Sequence, residues 1–135
     1  MTKVDDGLRP LFHRHLRRVH WQAIETWWMG AGVPDLNGCH KGVEVWVECK
    51  RAESERVEVR PGQVAWGEAR TRVGGRVFVA VRRHKGKADD LLIFNGAALR
   101  LFKDGSRLPD LAPLLFTSGG PARWDWPGIQ KILFC

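Results

Sequence analysis

Residues Val43 to Lys50, VEVWVECK, alternate between two kinds of side chain without a break. A period of two belongs to an extended strand, in which successive side chains point to opposite faces. Val43, Val45, Val47 and Cys49 then share one face, and Glu44, Trp46, Glu48 and Lys50 share the other. An acid and an ammonium two residues apart therefore emerge side by side from a rigid element. The valine face needs an apolar layer against it, so the chain is constrained to build at least one covered side of a sheet.

The remaining pattern supplies helices for that purpose. From Leu11 to Met29, Phe12, Leu16, Val19, Ala23 and Trp27 recur at three- and four-residue steps and predict one long amphipathic helix, ended by Gly30 and Gly32 with Pro34 beyond. GVPDLNG (Gly32–Gly38) reads as a short extended piece, and Cys39 to Gly42 as the turn into the alternating strand. Residues 51–60 read as an exposed, charged connection. Pro61 opens a second helix running to about Val73, with Trp66, Ala69 and Val73 on its apolar side and Gly74 and Gly75 as its stop. Val77 to Val81 is apolar on both faces, as a central strand is. Leu91–Phe94 and Ala97–Phe102 flank Asn95-Gly96 and predict a hairpin. Residues 103–124 carry no clear pattern, and Pro127 begins a short final helix bearing Ile129, Ile132 and Leu133. The expected fold class is α/β, a sandwich around one mixed central sheet, in a single domain over residues 1–135 with a C-terminal hairpin and tail over 88–135.

Charge narrows the partner. Lys plus Arg number 22 against 15 Asp plus Glu, a formal net charge of +7. That excess favours a polyanion, since each neutralised phosphate releases counterions. Arg82, Arg83, His84, Lys85 and Lys87 form a basic run after the central strand, and Arg51, Arg56, Arg60, Arg70 and Arg72 extend it. As a DNA-binding set, Arg51, Arg82, Arg83, Lys85 and Lys87 are the candidates, with a solvated loop as the alternative. Cys39, Cys49 and Cys135 include no C-x-x-C pair, which argues against a disulfide framework and a cysteine zinc site and fits a reducing, cytoplasmic setting. His13, His15, His20, Cys39 and His40 match no recurrent tetrahedral spacing. No apolar run approaches the roughly 20 residues of a membrane span.

Phosphodiester hydrolysis needs a hard cation on oxygen ligands. Asp35 and Glu48 lie 13 residues apart across a turn, close enough in a hairpin to set two carboxylates side by side. Lys50 points to the same face as Glu48, and the backbone carbonyl of Cys49 between them is a further oxygen. Magnesium commonly takes one or two carboxylates and keeps several waters, so this set suits it.

GVPDLNG followed by WVECK resembles the PD…(D/E)XK signature of restriction-endonuclease-like nucleases. More narrowly, the chain resembles the virus-type replication-repair nuclease (VRR-NUC) domains, many of which are small phage proteins. The resemblance takes in Gln63 in PGQVAWGEA and the strand GGRVFVAV, over about residues 20–83. It implies a restriction-endonuclease-like core in αβββαβ order. It also implies a Mg²⁺-dependent endodeoxyribonuclease, with Mn²⁺ as a substitute. Asp35 and Glu48 would bind the metal, Lys50 would support the nucleophilic water, and Gln63 would lie beside metal and phosphate. Glu25, on the first helix, would complete the site. Cys49 stands where the family usually has an apolar residue; cysteine is small and buries readily.

Stand-alone viral members imply structure-selective cleavage of four-way (Holliday) junctions or branched DNA in viral replication and repair, in the cytoplasm of an infected bacterium. Paired incisions at a junction call for a homodimer. Trp27, Trp28, Trp124, Trp126 and Phe134 are the aromatic surface expected for it. The rival readings are a nonspecific DNase, a noncatalytic DNA-binding module on a nuclease-like fold, and a basic assembly protein without a metal.

Overall fold

A computed structural model describes residues 7–25 and 32–135 of the chain. Its strands are β1 (His20–Ala23), β2 (Leu36–His40), β3 (Val43–Ala52), β4 (Arg76–Lys85), β5 (Ala88–Asn95) and β6 (Leu115–Thr117). Its helices are α1 (Leu8–His15), α2 (Pro61–Arg72), α3 (Ala98–Lys103) and α4 (Trp126–Phe134). The first six elements run α-β-β-β-α-β. The strands form one sheet in sequence order. β3 and β4 are parallel, and the other neighbouring pairs are antiparallel. A parallel pair needs a crossover, and α2 makes it.

The alternation in β3 becomes two separate cores. Val45, Val47 and Cys49 join Leu8, Phe12, Trp126 and Leu133 from α1 and α4 on one face. On the other, Val79, Val81, Leu92 and Phe94 pack beneath Val64 of α2 and Leu99 and Phe102 of α3. Glu48 and Lys50 lie on the α2 face. Both are buried, at 1% and 7% exposure, so the polar half of the alternating strand is covered as well.

The long first helix does not form. α1 ends at His15, and after a turn the chain enters β1, which pairs with β2 from His20↔Cys39 to Ala23↔Leu36. Phe12, Leu16 and Val19 are buried as the stripe requires, but Ala23 is exposed. No Gly or Pro interrupts residues 11–23. The strand prevails through a tertiary fit: Trp21 lies across Gly38, where a Cβ would come within 2.5 Å of the indole. Glu25 therefore follows a strand rather than riding on a helix. Trp27, Trp28, Met29 and Gly30 lie outside the described residues.

The Asn95-Gly96 hairpin is also overturned. Asn95 Oδ1 accepts the Ala97 N–H, Gly96 packs against Val77, and the chain turns into α3, which buries Ala98, Leu99 and Phe102. β5 instead pairs with β4 through a turn at Gly86 and Lys87, so the basic run through Lys85 is strand, not loop. The turn before β3 is Lys41-Gly42 alone, since β2 continues to His40. α2 spans nearly the expected residues, but Gln63, Val64 and Gly67 face inward while Ala69 and Val73 are exposed. Within the charged connection, Ala52 ends β3 and Val57 joins the second core. The final helix has Pro127 in its first turn and Asp125 as its cap, with Asp125 Oδ1 accepting the Gly128 N–H. Trp124, Trp126 and Phe134 are buried within this chain, so they are not a free surface for a second copy. No described helix is long and apolar enough to cross a membrane.

Candidate active site

Asp35 stands one step beyond the β2–β3 ladder. The last pair is Leu36↔Val47, so the same register puts Asp35 opposite Glu48. Pro34 comes next and has no N–H to continue the ladder. The Cys49 N–H turns instead to the Asp35 side chain, donating to Oδ2 at 2.9 Å. In an extended strand the carbonyl of a residue lies on the same side as its own N–H. The Cys49 carbonyl therefore faces this same edge.

Gln63, in the first turn of α2, ties the cluster together. Its Nε2 donates to Glu48 Oε2 at 2.6 Å, and its Oε1 accepts from Lys50 Nζ at 2.9 Å and from the Arg60 N–H at 2.9 Å. The amide orientation follows from these partners: the oxygen takes two donors while the nitrogen faces a carboxylate. The same side chain thus caps its helix and spaces Glu48 from Lys50. The other Glu48 oxygen, Oε1, is buried with no hydrogen-bond partner.

The electrostatics follow from burial. Burial pushes the Glu48 carboxyl up to about 9, and the neighbouring Asp35 carboxylate adds to the rise. Lys50 and Arg60 oppose it. Burial also lowers Lys50, against the pull of Glu48 and Asp35. Two carboxyl groups this close favour sharing a proton or binding a cation. The oxygens able to hold one are those of Asp35, Oε1 of Glu48 and the Cys49 carbonyl. Among the described residues no group of three or more His, Cys, Asp and Glu side chains could hold a metal, so a cation here has two carboxylates. That donor set fits Mg²⁺, which keeps waters for its remaining positions.

Gly32 is a site component that the sequence pattern did not reveal, since it reads there as a helix stop. Its φ is +73°, and a Cβ on it would lie 2.1 Å from the Gly62 carbonyl oxygen and 2.7 Å from the Gln63 nitrogen. The segment leading to Asp35 is thus seated directly on the start of α2, where Gln63 resides.

The structure does not bring Glu25 to this cluster. It is exposed and borders a groove with Arg9, His13, Trp21, Ala23 and Leu36, on the α1 side of the sheet. Three of the five candidate DNA-binding residues have acidic partners. Arg82 makes two 2.8 Å hydrogen bonds to Asp89 and lies over Trp124; Arg83 pairs with Asp90 at 2.8 Å; Arg51 pairs with Glu53. Lys85 and Lys87 are exposed at the β4–β5 turn. His15 stacks on Trp126 with ring centroids 4.4 Å apart, and His40 packs edge-on to Phe134, which gives both histidines packing roles. No protein-family model matches this chain, and no curated protein matches it in sequence.

Proposed function

We propose that this chain is a metal-dependent DNA endonuclease of the PD-(D/E)XK type, similar to the virus-type replication-repair nuclease domains. One observation carries the reading: a buried carboxylate oxygen with no partner, Glu48 Oε1, sits beside a second carboxylate and a buried ammonium. A solvated strand face would leave no such oxygen dry, and burying it without compensation is costly. The α-β-β-β-α-β order and the sheet supporting both acids are consistent with a restriction-endonuclease-like core.

Asp35, Glu48 and the Cys49 carbonyl would hold Mg²⁺, or Mn²⁺ in its place. The bound cation supplies a Lewis acid that activates water and neutralises phosphate charge. Lys50, fixed by Gln63, presents a donor next to the acids. There it orients the attacking water and stabilises charge that develops on the phosphate. Gln63 keeps Glu48 and Lys50 from collapsing into a direct ion pair. Arg60 adds positive charge at the mouth, and Asp35 is only half-buried, which leaves a side open to the substrate. The preferred substrate is a four-way junction or other branched DNA. Its paired incisions require two such sites related by a twofold axis, as a homodimer provides.

Diffraction from Mn²⁺-soaked crystals tests the metal site. Anomalous density between Asp35 and Glu48, absent in Glu48→Ala, is expected. Mn²⁺ bound only elsewhere, or nowhere, would overturn the assignment.

A further inference from the structure

Trp46 is on the same face of β3 as Glu48, two residues earlier, or about 7 Å along the strand. Trp66 of α2 meets it with ring centroids 5.0 Å apart. The guanidinium of Arg70, one turn further along α2, lies over both rings, 5.1 Å from the Trp46 centroid and 4.6 Å from that of Trp66. The Arg70 stem rests on Gly75, where a Cβ would come within 2.5 Å of Cγ and Cδ. The plane is held from below, yet among the described residues its guanidinium has no carboxylate or carbonyl partner.

That sets it apart from Arg51, Arg82, Arg83, Arg100 and Arg107, each of which meets an acid. Trp46, Trp66 and Arg70 are all half-buried rather than sealed. The groove beside them, about 610 Å³, is bordered by Glu44 as its lone acid and by Val73, which is 80% exposed.

We propose that Trp46, Trp66 and Arg70 form a stacking platform for an unpaired base of the DNA strand that enters the site. This rests on the nuclease reading above and gives its substrate a single-stranded segment. The two indoles meet edge to face at 60° and back the Arg70 guanidinium, whose outer plane suits any base and whose unspent N–H donors suit the adjoining phosphate. A fully paired duplex keeps its bases stacked on one another and cannot use the platform.

The test is fluorescence anisotropy of a labelled single strand and of its duplex, in EDTA, with wild type, Arg70→Ala, Arg70→Lys and Trp46→Leu. Arg70→Ala and Trp46→Leu are expected to weaken single-strand binding about tenfold or more. Duplex binding should change less than about threefold, as expected for the loss of one charge. Arg70→Lys keeps the charge but loses the plane, and should behave like Arg70→Ala. Equal losses on both DNAs, or full recovery with Arg70→Lys, would reduce Arg70 to a charge and overturn the platform; so would unchanged binding. Thermal melts confirm that the Arg70 variants fold, and they carry the test if Trp46→Leu does not. Mn²⁺ titration separates the two proposals. Wild type that takes up no Mn²⁺ removes the nuclease reading, whereas an intact Mn²⁺ affinity with no single-strand preference removes only the platform.

Discussion

Replacing Gly32 by alanine should damage the site more than the fold. Two costs add at that position. With φ at +73°, an L-residue is disfavoured by about 1–2 kcal/mol. The new Cβ would also lie 2.1 Å from the Gly62 oxygen, when even a close C–H···O contact needs about 3.3 Å. The backbone must therefore yield by more than about 1 Å, and overpacking of this kind costs about 1–3 kcal/mol. The sum is about 2–5 kcal/mol if the segment stays seated on α2. If it lifts, Asp35 three residues later leaves Glu48, and a displacement of about 1 Å can cost on the order of 100-fold in activity. Gly42→Ala is the control: its φ is +80°, but nothing lies within 4 Å of the added Cβ, so it incurs the first cost alone. Urea unfolding and calorimetric Mn²⁺ titration of both variants give the comparison. Gly32→Ala should be the less stable and should lose Mn²⁺ affinity, while Gly42→Ala keeps it. Equal stabilities with unchanged Mn²⁺ binding would refute the argument that this contact holds the site together.

Lys50→Ala should lower turnover by orders of magnitude while Mn²⁺ affinity stays near wild type; an affinity loss as large as that of Glu48→Ala would show that the two roles are not separate. Metal binding should depend on pH in a defined direction. Glu48, raised to about 9, holds its proton at neutral pH and must release it to a cation, so Mn²⁺ affinity should climb as pH rises toward 9. Calorimetry in two buffers of different ionisation enthalpy reads that proton, and a pH-independent affinity would contradict it. Asp89→Ala should destabilise by about 1–3 kcal/mol, because Arg82, only 13% exposed, loses both hydrogen bonds to that carboxylate. Correspondingly, Arg82→Gln should leave the salt dependence of DNA binding unchanged, whereas Lys87→Gln should reduce its slope by about one if that lysine meets a phosphate; a one-unit change for Arg82→Gln would place it on DNA after all.

Much of the site was legible because it rests on a strand. Alternation in Val43–Lys50 assigns Glu48 and Lys50 to one face whatever surrounds them, whereas Pro34, which reads as a helix stop, ends the β2–β3 ladder instead. The α2 span and the last helix follow from similar local signals. Long-range contacts were not legible. Phe12, Leu16 and Val19 satisfy a helical stripe as well as they satisfy a helix followed by a strand, and the choice depends on Trp21 meeting Gly38. The chain turns directly after Asn95 in either case, but whether a strand or a helix follows depends on Leu99 and Phe102 reaching the second core. The acidic partners of Arg82 and Arg83 lie across a hairpin turn that the basic run concealed. Glu25 depended on the long helix, and its expected place in the cluster falls with that helix.

The central claim is that Asp35, Glu48 and Lys50 hydrolyse DNA with a bound divalent cation. Its most direct test is cleavage of labelled duplex, flap, single-stranded and four-way-junction DNAs in Mg²⁺ or Mn²⁺, comparing wild type with folded Asp35→Ala and Glu48→Ala. Metal-dependent cleavage of at least one branched substrate by wild type, abolished in both variants and by EDTA, is the predicted result. Cleavage by either variant at a rate near wild type, or no cleavage of any DNA by well-folded wild type that binds them, would contradict it.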